Sequence, residues 1–558
     1  MKRGLRWLRM ILPGERIQRS DVIAGLSGAV ASVPDGMAAG ALAGVSPVHG
    51  LYASMAGRLF GSFATSTRLM VVTATSASAL AAGSALTAVP PEQRSAALIL
   101  LTLFAGCVML AAAVLRLGRY TRFVSHSVMT GFLAGIAANI VFGQSAQLTG
   151  VSADAPVALL KALYVVTHPG EIDIPSLVVG LFALALLAGL ARTRLRLFAA
   201  LAALILPTVL MIGLGWDSVT RVADAGAIPS GFPLPHIPDL AALTPSLLGG
   251  AAAVSVIVLV QGAGVAQAVP NRDGSPTDPN RDFAAQGAGS IAAALFRGMP
   301  VGGSLGQTAL NATAGAHTRW GAIFSGVWLL GILVAFAPLV GEVPMPTLAA
   351  ILIVAAAGAL EPGGLIAIWS SGSTSRIALV ATFLATLLLP VSAAVGIGVA
   401  LSLILQLNRE ALDLRVVRLR VEDGDLVEMP APDRLADHQI VILDVYGSLF
   451  YAGARTLQAN LPDPTGARGP IVILRLRGRT SVSATFLAVV GEYVRRLDAA
   501  GGALYLSGVD PRIRERWTDA LLDRQGVRVE FFPATPTIGE STLAAYAQAR
   551  VRLREPDT

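Results

Sequence analysis

Two short stretches of this chain, Ser66–Ser78 and Pro300–Asn311, carry the residues best suited to binding chemistry. Both interrupt apolar sequence. Each holds a few residues able to run extended, then small and hydroxylated residues able to open a helix. The first reads Thr73-Ala74-Thr75-Ser76, the second Gly302-Gly303-Ser304-Leu305-Gly306-Gln307-Thr308. A helix start presents unpaired N–H groups and about half a positive charge. Two facing starts therefore supply roughly one positive charge with no basic side chain lodged in the pocket. The hydroxyls of Thr73, Thr75, Ser76 and Thr308 and the Gln307 amide add donors, while Ala74, Gly303 and Gly306 let backbone approach a ligand closely. That chemistry suits an anion. Small residues in apolar helices also serve plain helix packing. Short Gly-interrupted segments at matching places in two halves favour a binding site near a bilayer midplane.

Magnitude constrains such a site. A helix end contributes on the order of 0.3–2 kcal/mol, whereas fully desolvating an ion costs tens. The pocket must therefore open to water from one side at a time, with the anion keeping part of its hydration. Alternating access follows.

The elements that position these stretches are membrane spans. The chain has 558 residues, of which 54% are hydrophobic and only 14% charged, against roughly 25% charged in a soluble domain. Apolar runs near the bilayer-spanning length recur from about Ser20 to Leu407. Val157–His168 and Leu365–Ser370 are too short to span alone, and Arg376–Leu407 is long enough to break at Pro390. Arginine-rich connections such as Arg116-Arg119-Arg122 and Arg192-Arg194-Arg196 read as cytoplasmic. The alternation predicts a polytopic α-helical membrane protein with 14 segments in two inverted repeats of seven, about 20–216 and 245–408. Residues 1–19 are expected as a basic cytoplasmic segment, with no cleavage site of a signal peptide.

After Leu407 charge becomes dense. A linker is expected over 409–437 and a small cytoplasmic α/β domain over 438–552. Its strands are predicted at Gln439–Val445, Ile471–Leu476 and Ala503–Ser507, its helices at Ser483–Ala499 and Pro511–Leu522. Both termini then lie inside, and the protein is expected in the cell (inner) membrane.

Several functions are excluded. The net charge of +7 is carried by flanking arginines that orient the spans, so no nucleic-acid partner is needed. Cys107 stands alone in an apolar helix and the histidines lack ligand spacing, so no metal site is expected. No phosphate-cradling loop or catalytic triad appears, and neither an enzyme nor a cofactor is indicated.

Asp21-Val22-Ile23-Ala24-Gly25-Leu26, then Pro34-Asp35-Gly36-Met37-Ala38, then Ala43-Gly44-Val45-Ser46-Pro47-Val48-His49-Gly50-Leu51-Tyr52 together resemble the N-terminal signature of the SulP family, also called solute carrier family 26. The C-terminal part resembles the STAS domain of these anion transporters. The resemblance implies the uracil-permease-like fold, with core and gate domains and with the third and tenth segments as half-helices facing each other across the substrate. A homodimer is expected. The chain departs from the family at two places. Gly306-Gln307-Thr308 stands where many members have an arginine, and Gln261 stands where many have a carboxylate. One positive and one negative charge are both replaced by amides, which keeps the charge balance and points to altered selectivity.

Asp35 is the ionisable group of the first span, and such groups are functional by default. Beside an anion its negative charge repels, so Asp35 is the expected proton-coupling residue; capping of the turn after Pro34 is the plainer alternative. Arg68 either draws anions in or anchors its strand. In the tail, Ser483 and Thr485 occupy the place of a phospho-switch, with helix capping by Ser481 or Ser483 as the plainer role.

The expected function is secondary active transport of small anions in the lipid membrane, coupled to protons or sodium, with proton symport favoured. Carboxylate, bicarbonate and sulfate stay open, Gln307 favouring the first two. The rivals are an uncoupled anion channel or exchanger, and a nucleobase permease on the same fold.

Overall fold

The computed structural model describes residues 15–123, 125–153, 155, 157–193, 198–225, 233–239, 244–360, 362–389, 391–412, 414–422, 425–479, 483–511 and 529–554. It divides into two compact units, Met1–Ser402 and Leu403–Thr558.

The first unit runs twice through one order of elements. Its first half contains α1 (Arg19–Leu42), α2 (Pro47–Ala56, prolonged by a π turn over Gly57–Gly61), β1 (Val72–Ala74), α3 (Ser76–Ala85) and α4 (Arg94–Val114). It continues with α5 (His126–Thr149), the short α6 (Ala158–Thr167), α7 (Ile174–Ala191) and α8 (Ala199–Gly213). The second half answers with α9 (Pro245–Ala268), α10 (Pro279–Leu295), β2 (Val301–Gly303), α11 (Leu305–Thr313) and α12 (Trp320–Gly341). It closes with α13 (Met345–Ala359), the short α14 (Pro362–Ser370), α15 (Ser373–Leu388) and α16 (Val391–Leu412), whose residues from Leu403 on belong to the second unit. Six helical stretches among the described residues are long and apolar enough to cross a bilayer. The long run after Arg376 divides between Leu388 and Val391; Pro390 itself, like Arg194, Arg196 and residues 1–14, lies outside the described residues.

The halves meet where β1 and β2 pair antiparallel, with Val72 opposite Gly303, Thr73 opposite Gly302 and Ala74 opposite Val301. The half-helices that continue these strands run in opposite senses, as an inverted repeat requires. Close approach explains two glycines. A Cβ on Gly302 would lie 2.5 Å from Val258 Cγ1, and one on Gly50 would lie 1.8 Å from the Gly36 carbonyl oxygen, where α1 crosses α2 beside Asp35.

Two buried carboxylates brace the far ends of these segments in the same way. Asp282 accepts from the Ser66 and Thr67 amides at 2.5 and 3.2 Å and from the Thr67 hydroxyl at 2.7 Å. Asp21 accepts from the His317 and Thr318 amides at 2.8 and 3.1 Å and from the Thr318 hydroxyl at 2.8 Å. The first clamp holds the entry to β1, the second the exit from α11. The next residues, Arg68 and Arg319, both reach Glu15, at 3.3 and 3.9 Å, and Arg68 also reaches Asp273 at 2.8 Å. Arg68 therefore anchors its strand.

In the second unit a six-stranded sheet has the order β4-β3-β5-β6-β7-β8. Its elements are β3 (Arg415–Glu422), β4 (Asp425–Pro430), β5 (Ile440–Tyr446), α17 (Tyr451–Asn460), β6 (Ile471–Arg475), α18 (Ala484–Ala499), β7 (Ala503–Val509), β8 (Val529–Pro533) and α19 (Glu540–Arg552). Strands β5 to β8 are parallel, and the β3–β4 hairpin adds antiparallel to β5. Both faces are covered. Leu443, Leu474 and Leu506 share one core with Phe486 and Val490, while Ile442, Ile473 and Tyr505 share another with Ala545 and Ala549. Strands buried on both faces read as continuous apolar runs, which is why β5, β6 and β7 stand out in the sequence.

The stretch 409–437, expected as a linker, instead supplies β3 and β4. Val417 and Leu419 are buried while their neighbours Arg418 and Arg420 are not. Alternation of this kind marks a strand, and the density of charge masked it. The helix expected at Pro511–Leu522 lies almost wholly outside the described residues. Ser483 caps α18: its hydroxyl accepts from the Phe486 amide at 3.2 Å and donates to the Leu449 carbonyl at 3.0 Å.

Candidate functional site

The β1–β2 pair brings the two stretches of small and hydroxylated residues to one place. Thr75 caps α3, accepting from the Ser78 amide at 3.1 Å, and the Ser78 hydroxyl accepts from the Thr75 amide at 3.1 Å. Ser304 caps α11, accepting from the Gln307 amide at 3.3 Å, and its own amide donates to the Val71 carbonyl at 3.0 Å. In both helices the cap takes the third amide, and the fourth bonds within the turn: Ala79 to Thr75 at 2.9 Å, Thr308 to Ser304 at 2.9 Å. Helix geometry therefore leaves the amides of Ser76, Ala77, Leu305 and Gly306 without intrahelical partners. Gly306 is exposed, and a Cβ there would meet nothing within 4 Å. Thr73 and Ala74 are buried in β1 behind this opening.

Other residues named from the sequence hold this frame. Thr75 Oγ1 donates to Gln261 Oε1 of α9 at 3.1 Å. The Thr308 hydroxyl accepts from the Val71 amide at 3.1 Å, tying α11 to the approach to β1. The Gly303 amide donates to Gln286 Oε1 at 3.2 Å, so what Gly303 offers a ligand is its small size. Asn311 Nδ2 donates to the Leu69 carbonyl at 3.2 Å.

Gln307 links two charges. Its Nε2 donates to the Asp35 carboxylate, and its Oε1 accepts from Arg58 Nη2 at 3.0 Å. Only this orientation of the amide matches donors with acceptors. Arg58 sits in the π turn after α2, with 1% of its surface exposed. Its Nη1 donates to Ser325 Oγ of α12 at 2.8 Å and to the Gly28 carbonyl of α1 at 3.3 Å, and its Nε has no protein partner. Asp35 follows Pro34 inside α1, which has no amide to give the Val30 carbonyl.

Arg58 overturns the expectation that no basic side chain lodges in the pocket. The signal was present: an arginine within Gly50–Phe60 is a charge inside apolar sequence, which is costly and functional by default. It went unread because Arg58 lies near the end of its apolar run, where a positive charge ordinarily marks a membrane boundary. Asp21 and Asp282, which fix the far ends, were missed because their partners lie hundreds of residues away.

The model of the sulfate permease family matches residues 19–383. "Probable sulfate transporter 4.2" of Arabidopsis thaliana is 27% identical over 519 residues, covering 88% of this chain and 76% of its own. The structure of the murine solute carrier 26 family member A9 anion transporter in the inward-facing state aligns with TM-score 0.81 at 18% identity, covering 97% of this chain and 93% of that one. The transmembrane domain of a cyanobacterium bicarbonate transporter, BicA, aligns with TM-score 0.59 at 20% identity over 68% of this chain and 97% of that one. With the family model covering most of the membrane unit and the fold shared nearly end to end, the chain belongs to the sulfate permease (SulP, solute carrier family 26) family of multi-pass membrane transporters.

Proposed function

We propose that this protein is a secondary active transporter of small anions, of the carboxylate, bicarbonate or sulfate class. It holds the anion between the starts of α3 and α11 and moves it by alternating access. The observation that carries this reading is the equivalence of the two helix starts: each is capped at its third amide and leaves its first two amides for a ligand.

Charge counting supports proton symport. The two helix ends contribute roughly one positive charge together, and the Arg58 charge is balanced by ionised Asp35. A monoanion matches that state. When Asp35 takes a proton the positive charge grows by one, which matches a dianion. The second charge of a dianion is not offset while Asp35 is ionised, so the proton travels with a dianion. Gln307 conveys the change, because its amide touches both charged groups. Gln261 and Thr75 steady the first helix start, Thr308 and Ser304 the second.

The end of the membrane unit holding Asp21, Thr67 and Thr318 faces the cytoplasm in this reading, and the α1–α2 connection faces out. The C-terminal unit is a cytoplasmic STAS domain, and the transporter is a homodimer in the cell membrane.

The test is uptake by purified protein in liposomes, screened over sulfate, bicarbonate, halide and carboxylates with and without inward proton or sodium gradients. Concentrative uptake of one anion driven by the proton gradient is expected. Steady anion current indifferent to that gradient would make the protein a channel, and uptake of neutral nucleobases would replace the anion reading.

A further inference from the structure

We propose a second anion-docking site, apart from the α3–α11 pair, at the end of the membrane unit where α1 passes to α2. A cavity of about 680 Å³ there is lined by Ser46, His49, Arg94, Gln147, His236 and Arg297 among others. They come from the α1–α2 connection, the first turn of α2, the start of α4, the end of α5, the stretch before α9 and the turn between α10 and β2. Four of them carry a guanidinium or imidazole, and no carboxylate lines the cavity among the described residues. The two guanidiniums, with no carboxylate beside them, raise the local concentration of counter-ions.

These groups are positioned rather than merely present. Arg94 Nε donates to the Val89 carbonyl at 3.1 Å, which leaves its terminal nitrogens unspent. Arg297 has φ of 57°, a left-handed conformation uncommon for a residue with a side chain. Its carbonyl lies 2.5 Å from His49 Nδ1, and His49 Nε2 lies 3.2 Å from Ser95 Oγ, so the imidazole bridges α4 and that turn. Neither Arg94 nor Arg297 pairs with a carboxylate among the described residues.

Two guanidiniums without carboxylate partners favour an anion as the occupant. Behind the wall, Ser46 Oγ and Gln147 Oε1 are buried without protein partners. Ala41, on the same wall, is six residues from Asp35, about 9 Å along α1. The site thus lies at the mouth above the helix-start pair and serves as a waiting position.

This inference rests on the anion-transport reading, and the experiment separates the two. Uptake of sulfate, bicarbonate and a small carboxylate is measured in liposomes for the full chain, Arg94→Gln, Arg297→Asn, their double variant and Arg297→Lys. Asn tolerates the left-handed backbone at 297. A rise in KM of roughly tenfold in the double variant, with kcat and Arg297→Lys unchanged and a flatter salt dependence, is the expected result. An unchanged KM, or a fall in kcat alone, overturns the docking site while leaving the transporter intact. Absence of uptake of all three anions by the unaltered protein overturns the transport reading instead. As a readout independent of transport, sulfate is expected to slow phenylglyoxal modification of Arg297, followed by mass spectrometry. Equal rates with and without sulfate would count against docking.

Discussion

The carboxamide of Gln307 stands between Asp35 and Arg58, donating to the first and accepting from the second at 3.0 Å. A neutral amide thus couples a carboxylate on α1 to a guanidinium from the turn after α2, at the first turn of α11. Any change in the charge of Asp35 is felt at the helix start through one side chain.

Asp35→Asn keeps the shape and a hydrogen-bonding group but no proton to exchange. Uptake driven by an inward proton gradient is expected to lose its stimulation, while downhill exchange of anion for anion persists. Undiminished stimulation in liposomes would remove Asp35 from coupling.

Asp35 and Arg58 are buried opposite charges bridged by Gln307, and removing one leaves the other uncompensated, which destabilises. Arg58→Gln is therefore expected to lower the melting temperature in detergent, and Asp35→Asn added to it to recover most of the loss. Arg58→Gln melting like the unaltered protein would show that the pair carries no such energy.

Thr308 separates a structural from a ligand role. Thr308→Val strands the buried Val71 amide, worth about 1–3 kcal/mol, whereas Thr308→Ser keeps the acceptor. Reduced stability and uptake in the valine variant alone is the expected pattern, read from melting curves beside initial rates. A loss in the serine variant alone would assign the role to the methyl group rather than the hydroxyl.

How much of this was legible varied with the physics. The half-helices were, because a polar break in a long apolar run has few causes, and β1 and β2 fall within the two marked stretches. The Arg58 charge was visible but its contact was not, since only tertiary packing places the turn after α2 against Gln307, 249 positions later. The clamps of Asp21 and Asp282 likewise depend on partners hundreds of residues away. In the C-terminal unit β5, β6 and β7 were legible as double-faced apolar runs, while β3 hid its Val417 and Leu419 among arginines.

The turn beside α17 offers a pH test away from the membrane. The Thr465 hydroxyl and amide, at 2.8 and 3.1 Å, and then Arg496 hold the Asp463 carboxyl below the ordinary carboxylate range. A depressed acid contributes stability that is complete above its unfolded value and fades as pH falls through the folded one. Being exposed, the group has a small effect. Hydrogen-exchange protection of the Leu461–Gly466 turn is expected to fall on acidification, and to fall less steeply in Asp463→Asn. Identical pH profiles would deny the carboxylate this role.

The most direct measurement is anomalous scattering from selenate or bromide bound to the protein at a concentration that saturates uptake. The account predicts a peak within hydrogen-bond reach of the amides of Ser76–Ala77 and Leu305–Gly306, flanked by Gln307. A saturated site elsewhere in the membrane unit, with nothing between α3 and α11, would contradict it.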